Sequence, residues 1–105
     1  MDGAFNGKGI NKLKKEDESL YNAVLALDDA VWSDGVIDRR TKKLIAIAIV
    51  ASNVNESGTE KQIRSGKKQF DFSKEEIIEV LKIVLLTSGM QAFNSALQAM
   101  YNVYE

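Results

Sequence analysis

A run of polar side chains follows the most apolar part of the chain, and its residue types could support binding or acid–base chemistry. The apolar segment LIAIAIVA ends at the stretch SNVNESGTEKQ. The amides of Asn53, Asn55 and Gln62 carry both donors and acceptors. Ser57 adds a hydroxyl, and Glu56 can act as a base if it is desolvated. The simpler interpretation is a solvent-exposed turn between two helices, in which Asn and Ser cap the helix that follows the turn.

Several chemistries are excluded by composition. The chain has 105 residues and contains no Cys, no His and no Pro. Without Cys there is no thiolate nucleophile, no disulfide and no thiolate metal ligand. Without His, the chain lacks the side chain that most often serves as a base or metal ligand near neutral pH. We therefore expect no metal site and no cofactor.

The charge balance bears on partners and location. Fourteen basic and fifteen acidic side chains nearly cancel, so no global field attracts nucleic acid or an anionic membrane. Lys61, Arg64 and Lys68 form a basic stripe, which is either a solvated face or a surface where a partner docks. No apolar segment reaches the roughly 20 residues that span a bilayer, and no signal-peptide pattern opens the sequence. We expect a cytoplasmic protein with no nucleic-acid or membrane partner.

Apolar residues recur at three- and four-residue spacing, which is typical of helices. Ser73 and Glu76 have the spacing of a capping box at a helix start. Gly66 falls inside another predicted helix, where a close helix crossing would explain it. The sequence predicts an all-α fold of about five to six helices, with a flexible N-terminal arm over residues 1–15 and a single domain over residues 16–105.

Two predicted helices are apolar on nearly every side, namely the one containing LIAIAIVA and the one that follows Ser73. Such helices are surrounded by protein. A chain of this length is too short to bury both alone, so we expect a symmetric homo-oligomer formed through the helix after Ser73 and the last helix. The alternative is one bundle that covers both helices.

Two segments, VIDRRTKKLIAIAIVAS and FSKEEIIEVLKIVLLTSGMQAFNSAL, flank a short polar turn that leads into a helix. Their order and spacing resemble the carboxymuconolactone decarboxylase and alkylhydroperoxidase D-like family, from about Leu27 to Met100. The resemblance implies an alkylhydroperoxidase D-like helical subunit that assembles as a trimer or hexamer.

The resemblance also implies where a redox site would lie. The peroxidase branch of the family has a Cys-x-x-Cys pair at the start of its third helix, a His four residues later and a Glu twelve residues before the pair. These positions hold Asn55, Gly58, Gln62 and Lys43 in this chain. The decarboxylase branch is expected to use His residues, which are also absent. The resemblance therefore implies a degenerate active site without thiol peroxidase activity.

A retained family pocket would be lined by polar side chains near the turn: Asn53, Asn55, Glu56, Ser57 and Gln62, with Lys43 from the preceding helix. Lys43 could hold an anion, so a small polar or anionic ligand is expected. The favoured hypothesis is a non-redox protein that binds a small molecule or serves in assembly. One alternative is a decarboxylase or lactone-type enzyme that uses Glu56 and Lys43 on a small carboxylate. Another is an oligomeric scaffold that docks a partner.

Overall fold

The structure, a computed structural model, describes residues 8–105 and is helical along most of this range. Its helices are α1 (Lys8–Glu16), α2 (Glu18–Trp32), α3 (Arg39–Ser52), α4 (Glu56–Phe70), α5 (Lys74–Ser88) and α6 (Met90–Tyr104). The described residues contain no strand, so the all-α prediction is confirmed. None of these helices combines the length and apolarity needed to cross a membrane.

The chain divides into two compact units, one ending at Arg39 and the other covering Arg40–Glu105. In the described part of the first unit, α1 packs against α2. Asp17 is the N-cap of α2, and its carboxylate accepts the N–H of Leu20 at 3.0 Å. Because α2 and the body of α3 fall in different units, the single domain expected over residues 16–105 stays a prediction.

Residues 8–15 of the predicted flexible arm belong to α1, and the flexibility of the arm stays a prediction. Ile10 and Leu13 are half-buried and lie three residues apart, on one face of this helix. Lys14 and Lys15 in its last turn complement the negative end of the helix dipole. Residues 1–7, the rest of the predicted arm, lie outside the described residues.

The core of the second unit is built from α3 to α6, with α6 packed against both α4 and α5. Its members are buried side chains: Ile47, Ala51, Ile63, Phe72, Ile77, Leu81, Val84, Ala92, Ala96, Met100 and Val103. Burial of this apolar surface is the main favourable contribution to the stability of the unit.

The link between α4 and α5 is set by local hydrogen bonds. Asp71 adopts the left-handed conformation at φ 53°, which Asp tolerates better than most residues. Its N–H donates to the carbonyl of Lys67 at 3.0 Å. Ser73 Oγ accepts the N–H of Glu76 at 3.0 Å, and Glu76 Oε1 accepts the N–H of Ser73 at 3.1 Å. The predicted capping box is confirmed, and the link directs Phe72 into the core.

Arg40 of α3 and Tyr104 of α6 hold the same link. The Arg40 guanidinium lies 4.8 Å from the Phe72 ring centroid and forms an ion pair with Glu76 at 2.7 Å. Tyr104 donates its hydroxyl to the carbonyl of Phe72 at 2.6 Å. The hydrogen bond from the Ser73 backbone, and then that from Arg40, hold the pKa of Glu76 below its ordinary value. Burial raises the pKa of Tyr104.

Gly66 lies where α4 meets this link. A Cβ at Gly66 would come within 2.7 Å of Cδ2 and Cε2 of Phe72, and within 3.4 Å of Lys43 Cγ on α3. The close helix crossing expected from the sequence is therefore only part of the reason for this glycine, because the nearest atoms belong to an aromatic ring from the α4–α5 link.

We expect Gly66→Ala to lower the free energy of unfolding by about 1 kcal/mol. Displacing a buried ring by overpacking costs roughly 1–3 kcal/mol, which outweighs the gain in helix propensity of about 1 kcal/mol. Urea denaturation measures the change. Gly9→Ala is the control, since a Cβ there meets nothing within 4 Å. In a Phe72→Leu background the penalty should shrink, and an undiminished penalty would contradict the ring contact as its cause.

Candidate functional site

The turn between α3 and α4 is organised by Asn55. Val54 adopts φ 55°, and Asn55 follows as the N-cap of α4. The Asn55 side chain accepts the N–H of Gly58 at 2.9 Å and the hydroxyl of Ser57 at 3.3 Å. The buried Thr59 donates its hydroxyl to the Asn55 carbonyl at 2.7 Å. Asn55 therefore satisfies the start of α4 from within the chain.

Asn55 and Gly58 are in close contact at the start of α4. A Cβ at Gly58 would come within 2.6 Å of Asn55 Nδ2, a distance at which one of the two groups must move. A side chain at position 58 would shift the Asn55 amide, which is the end of a flexible side chain. These are the two positions where the resemblance would put the Cys pair, and here they share the hydrogen bond that caps α4.

Lys43 and Gln62 form a second pair, between α3 and α4. Lys43 Nζ donates to Gln62 Oε1 at 2.8 Å, and the two residues are only 1 % and 4 % exposed. An ammonium group loses several kcal/mol of hydration when it is buried, so acceptors within the protein must offset the cost. These are the positions where the resemblance would put Glu and His. The hydrogen bond holds the two helices together.

The structure divides the predicted site residues by burial. Lys43 and Gln62 lie together in the interior. Asn53, Asn55, Glu56 and Ser57 are exposed at the turn. The turn therefore offers its side chains to solvent, whereas the ammonium of Lys43 does not reach solvent.

A groove of about 550 Å³, called here the α4–α6 groove, opens beside this turn. It is lined by Val54, Glu56, Gln91, Asn94, Ser95, Leu97, Gln98 and Tyr101. Of the predicted site residues, only Glu56 lines it. Sequence reasoning missed the polar residues of α6, although their spacing of three and four residues indicates one helix face. That spacing does not reveal what the face lies against.

Hydrogen bonds between α4 and α6 stabilise one side of the groove. Gln98 Nε2 donates to Asn102 Oδ1 at 3.1 Å, and Asn102 Nδ2 donates to Glu60 Oε1 at 2.8 Å. Arg64 forms an ion pair with Glu60 at 3.0 Å. The hydrogen bond from Asn102, and then that from Arg64, lower the pKa of Glu60. Gln98 is therefore held in position, and Arg64 of the predicted basic stripe already pairs with a carboxylate.

The described residues contain no cluster of three or more acidic, His or Cys side chains that could hold a metal ion.

A family model and two relatives match most of this chain. The model for the carboxymuconolactone decarboxylase family matches residues 18–101. The uncharacterized protein MJ0742 of Methanocaldococcus jannaschii is 45 % identical over 94 residues, which make up 90 % of this chain and 90 % of that protein. The uncharacterized protein MJ1511 of the same organism is 30 % identical over 94 residues, 90 % of this chain and 87 % of that protein.

A solved structure shows the same fold. The crystal structure of apo-lpg0406, a carboxymuconolactone decarboxylase family protein from Legionella pneumophila, matches with a TM-score of 0.77. The match covers 92 % of this chain and 88 % of that chain at 24 % identity.

We expect Gln62→Leu to lower the free energy of unfolding by about 1.5–3 kcal/mol, because a hydrogen bond to a charged group contributes about that much. Gln62→Glu should cost less, since a carboxylate can accept from Lys43 at the same distance. Gln91→Leu, at an exposed amide of α6, is the control and should change stability little. Equal stabilities of the Leu and Glu variants at position 62, by chemical denaturation, would show that the hydrogen bond contributes nothing.

Proposed function

This chain belongs to the carboxymuconolactone decarboxylase family, as the resemblance implied, and we propose that it is a non-redox member that binds a small polar molecule in the α4–α6 groove. The proposal has two parts. One concerns the loss of the redox centre, and the other concerns the position of the binding site.

The observation that carries the first part is the buried hydrogen bond between Lys43 and Gln62. A dithiol peroxidase needs a thiolate and a group that moves its proton. In this chain, the corresponding positions hold an amide cap with its glycine and an ammonium–amide pair. Both pairs make contacts that stabilise the fold, at Asn55 with Gly58 and at Lys43 with Gln62. We infer that residues with a structural role occupy the positions that would carry the redox reaction.

The second part is supported by the size and lining of the groove. Its volume of about 550 Å³ lies within the range of about 300–1,000 Å³ typical of small-molecule sites. Three amides, a hydroxyl, a phenol and a carboxylate supply directional hydrogen bonds, while Val54 and Leu97 supply apolar surface. This combination suits a small molecule with several polar groups.

The alternative enzyme, a decarboxylase or lactone-type enzyme using Glu56 and Lys43, receives less support from this geometry. Lys43 is buried against Gln62, whereas Glu56 is exposed. Joint action on one carboxylate would require α3 and α4 to separate. The anionic ligand expected from Lys43 is less favoured for the same reason.

We also propose that the chain forms a symmetric homo-oligomer, a trimer or hexamer, in the cytoplasm. Apolar side chains remain exposed on the helix expected to mediate assembly. Ile83 and Leu86 of α5 are 61 % and 85 % exposed and lie three residues apart, and Met90 at the start of α6 is 67 % exposed. Covering such side chains in a second copy would remove apolar area from water. A scaffold role would add a partner on the surface of this oligomer.

The binding proposal predicts that ligand binding requires side chains of α6. A library of small polar metabolites is screened by thermal shift, and a hit raises the Tm because it binds only the folded protein. Asn94→Leu should abolish the shift, because it replaces a hydrogen-bonding group of the groove. Asn53→Leu, at an exposed turn amide that does not line the groove, is the control. If the Tm shift depended on Asn53 instead, the binding site would lie at the turn. If the screen gave no hit, the result would count against binding.

The non-redox part is tested with the same protein, by reduction of tert-butyl hydroperoxide in the presence of a dithiol. Turnover should not exceed that of the buffer, and turnover that scales with protein concentration would overturn it.

For assembly, we expect Leu86→Asp to lower the oligomer mass seen by native mass spectrometry, because a carboxylate cannot be covered without losing hydration. The fold should tolerate this change, as the side chain is 85 % exposed. Lys61→Ser, at an exposed residue of α4, serves as the control. An unchanged mass would exclude this face of α5 from the interface.

A further inference from the structure

We infer that the ligand of the α4–α6 groove is a short aliphatic amine that carries a second polar group. This inference rests on the proposed binding function and names the chemical class of the ligand. It concerns residues that have no counterpart in the redox site implied by the resemblance, because all but two of the lining residues belong to α6.

A carboxylate is the charged group of the groove lining. Glu56 is the one charged residue among the residues that line the groove. Within residues 8–105, no ion pair or side-chain hydrogen bond engages its carboxylate. Glu60, one turn further along α4, pairs with Arg64 and Asn102 instead. The Glu56 carboxylate is thus available to accept hydrogen bonds from an ammonium group, and such charge-assisted bonds are among the stronger ones.

The groove disfavours an anion. No Lys or Arg lines it, so nothing offsets repulsion by Glu56. A helix N-terminus ordinarily attracts anions through its free N–H groups. At α4, Asn55 Oδ1 already accepts the N–H of Gly58 at 2.9 Å, and Glu56 sits in the first turn. The positive end of the helix dipole is thus already compensated by groups of this chain.

The length and shape of the groove also restrict the ligand. The polar lining residues of α6 extend from Gln91 to Gln98, about 10 Å along the helix at 1.5 Å per residue. Val54 and the ring of Tyr101, each roughly two-fifths exposed, offer surface for methylene groups, and an aromatic face also attracts an ammonium group. Gln91 and Asn94 can bind a second polar group. The lining therefore suits a flexible chain with an amine at one end.

The test compares three four-carbon probes that differ in charge: 1,4-diaminobutane, 1,4-butanediol and succinate. Each is titrated into the full chain, and amide chemical shifts are followed by ¹H–¹⁵N NMR. We expect the diamine to shift signals of Glu56 and α6 and to bind at least about tenfold more tightly than the diol, which corresponds to about 1.4 kcal/mol. Succinate should bind most weakly. Added salt should weaken diamine binding, because the ion pair is exposed and therefore screened.

Two carboxylate variants then locate the site. Glu56→Gln should lower diamine affinity about tenfold or more, since it removes the charge and keeps the shape. Glu75→Gln is the matched control, because Glu75 is likewise exposed in the first turn of its helix, α5. It should leave the affinity unchanged. Tyr101→Leu should weaken the diamine more than the diol, because it removes the aromatic face but keeps apolar area.

Other outcomes separate the inference from the function on which it rests. Tighter binding of succinate than of the diamine, or equal loss in both carboxylate variants, would overturn the choice of an amine. So would the absence of any shift with the diamine at millimolar concentration. In each of these cases, a metabolite whose binding depends on Asn94 would leave the groove a binding site for another class of ligand. If no such metabolite were found, the proposed function would be overturned as well.

Discussion

A buried ammonium group constrains the packing of α3 against α4 in the second unit. Lys43 is 1 % exposed and donates to Gln62 at 2.8 Å, so α3 and α4 must stay in the register that brings these atoms together. Burying a charge is tolerated only where hydrogen-bond acceptors replace its lost hydration. The stem of the same lysine passes 3.4 Å from the position of a Cβ at Gly66. The polar contact and the close packing therefore depend on one helix spacing.

That spacing continues into the α4–α5 link. Gly66 leaves room for the ring of Phe72, and Arg40 covers the ring while pairing with Glu76. Glu76 in turn closes the capping box at the start of α5. The start of one helix, the middle of another and the link between them thus share a single packed cluster. Substitution of any one of these residues would disturb the packing of the others, because protein interiors are close-packed.

Two residue pairs stabilise the turn between α3 and α4 and the contact between these helices. Asn55 caps α4 by accepting the N–H of Gly58, and Lys43 is accommodated in the interior with an amide acceptor at Gln62. Each pair is locally consistent and contributes to folding. Under the proposed function, binding would then depend on α6, whose polar face meets the start of α4, and the structural pairs would remain as its support.

The sequence by itself determined much about this protein. Helical periodicity predicted the all-α fold, the spacing of Ser73 and Glu76 predicted the capping box, and the absence of Cys and His excluded thiol chemistry. These conclusions depend on residue identity and on contacts within one or two helical turns. The order of the segments also indicated the family.

Only the tertiary structure decided which side chains meet across helices. It buried Lys43 and Gln62 as a pair, exposed Glu56, and brought the amides of α6 beside the α3–α4 turn. It also made residues 8–15 helical, within the segment that the sequence predicted as a flexible arm. The physical reason is that spacing along the chain defines the faces of a helix, whereas packing between helices selects the neighbour of each face. That packing separates the buried groups from those that remain open to a ligand.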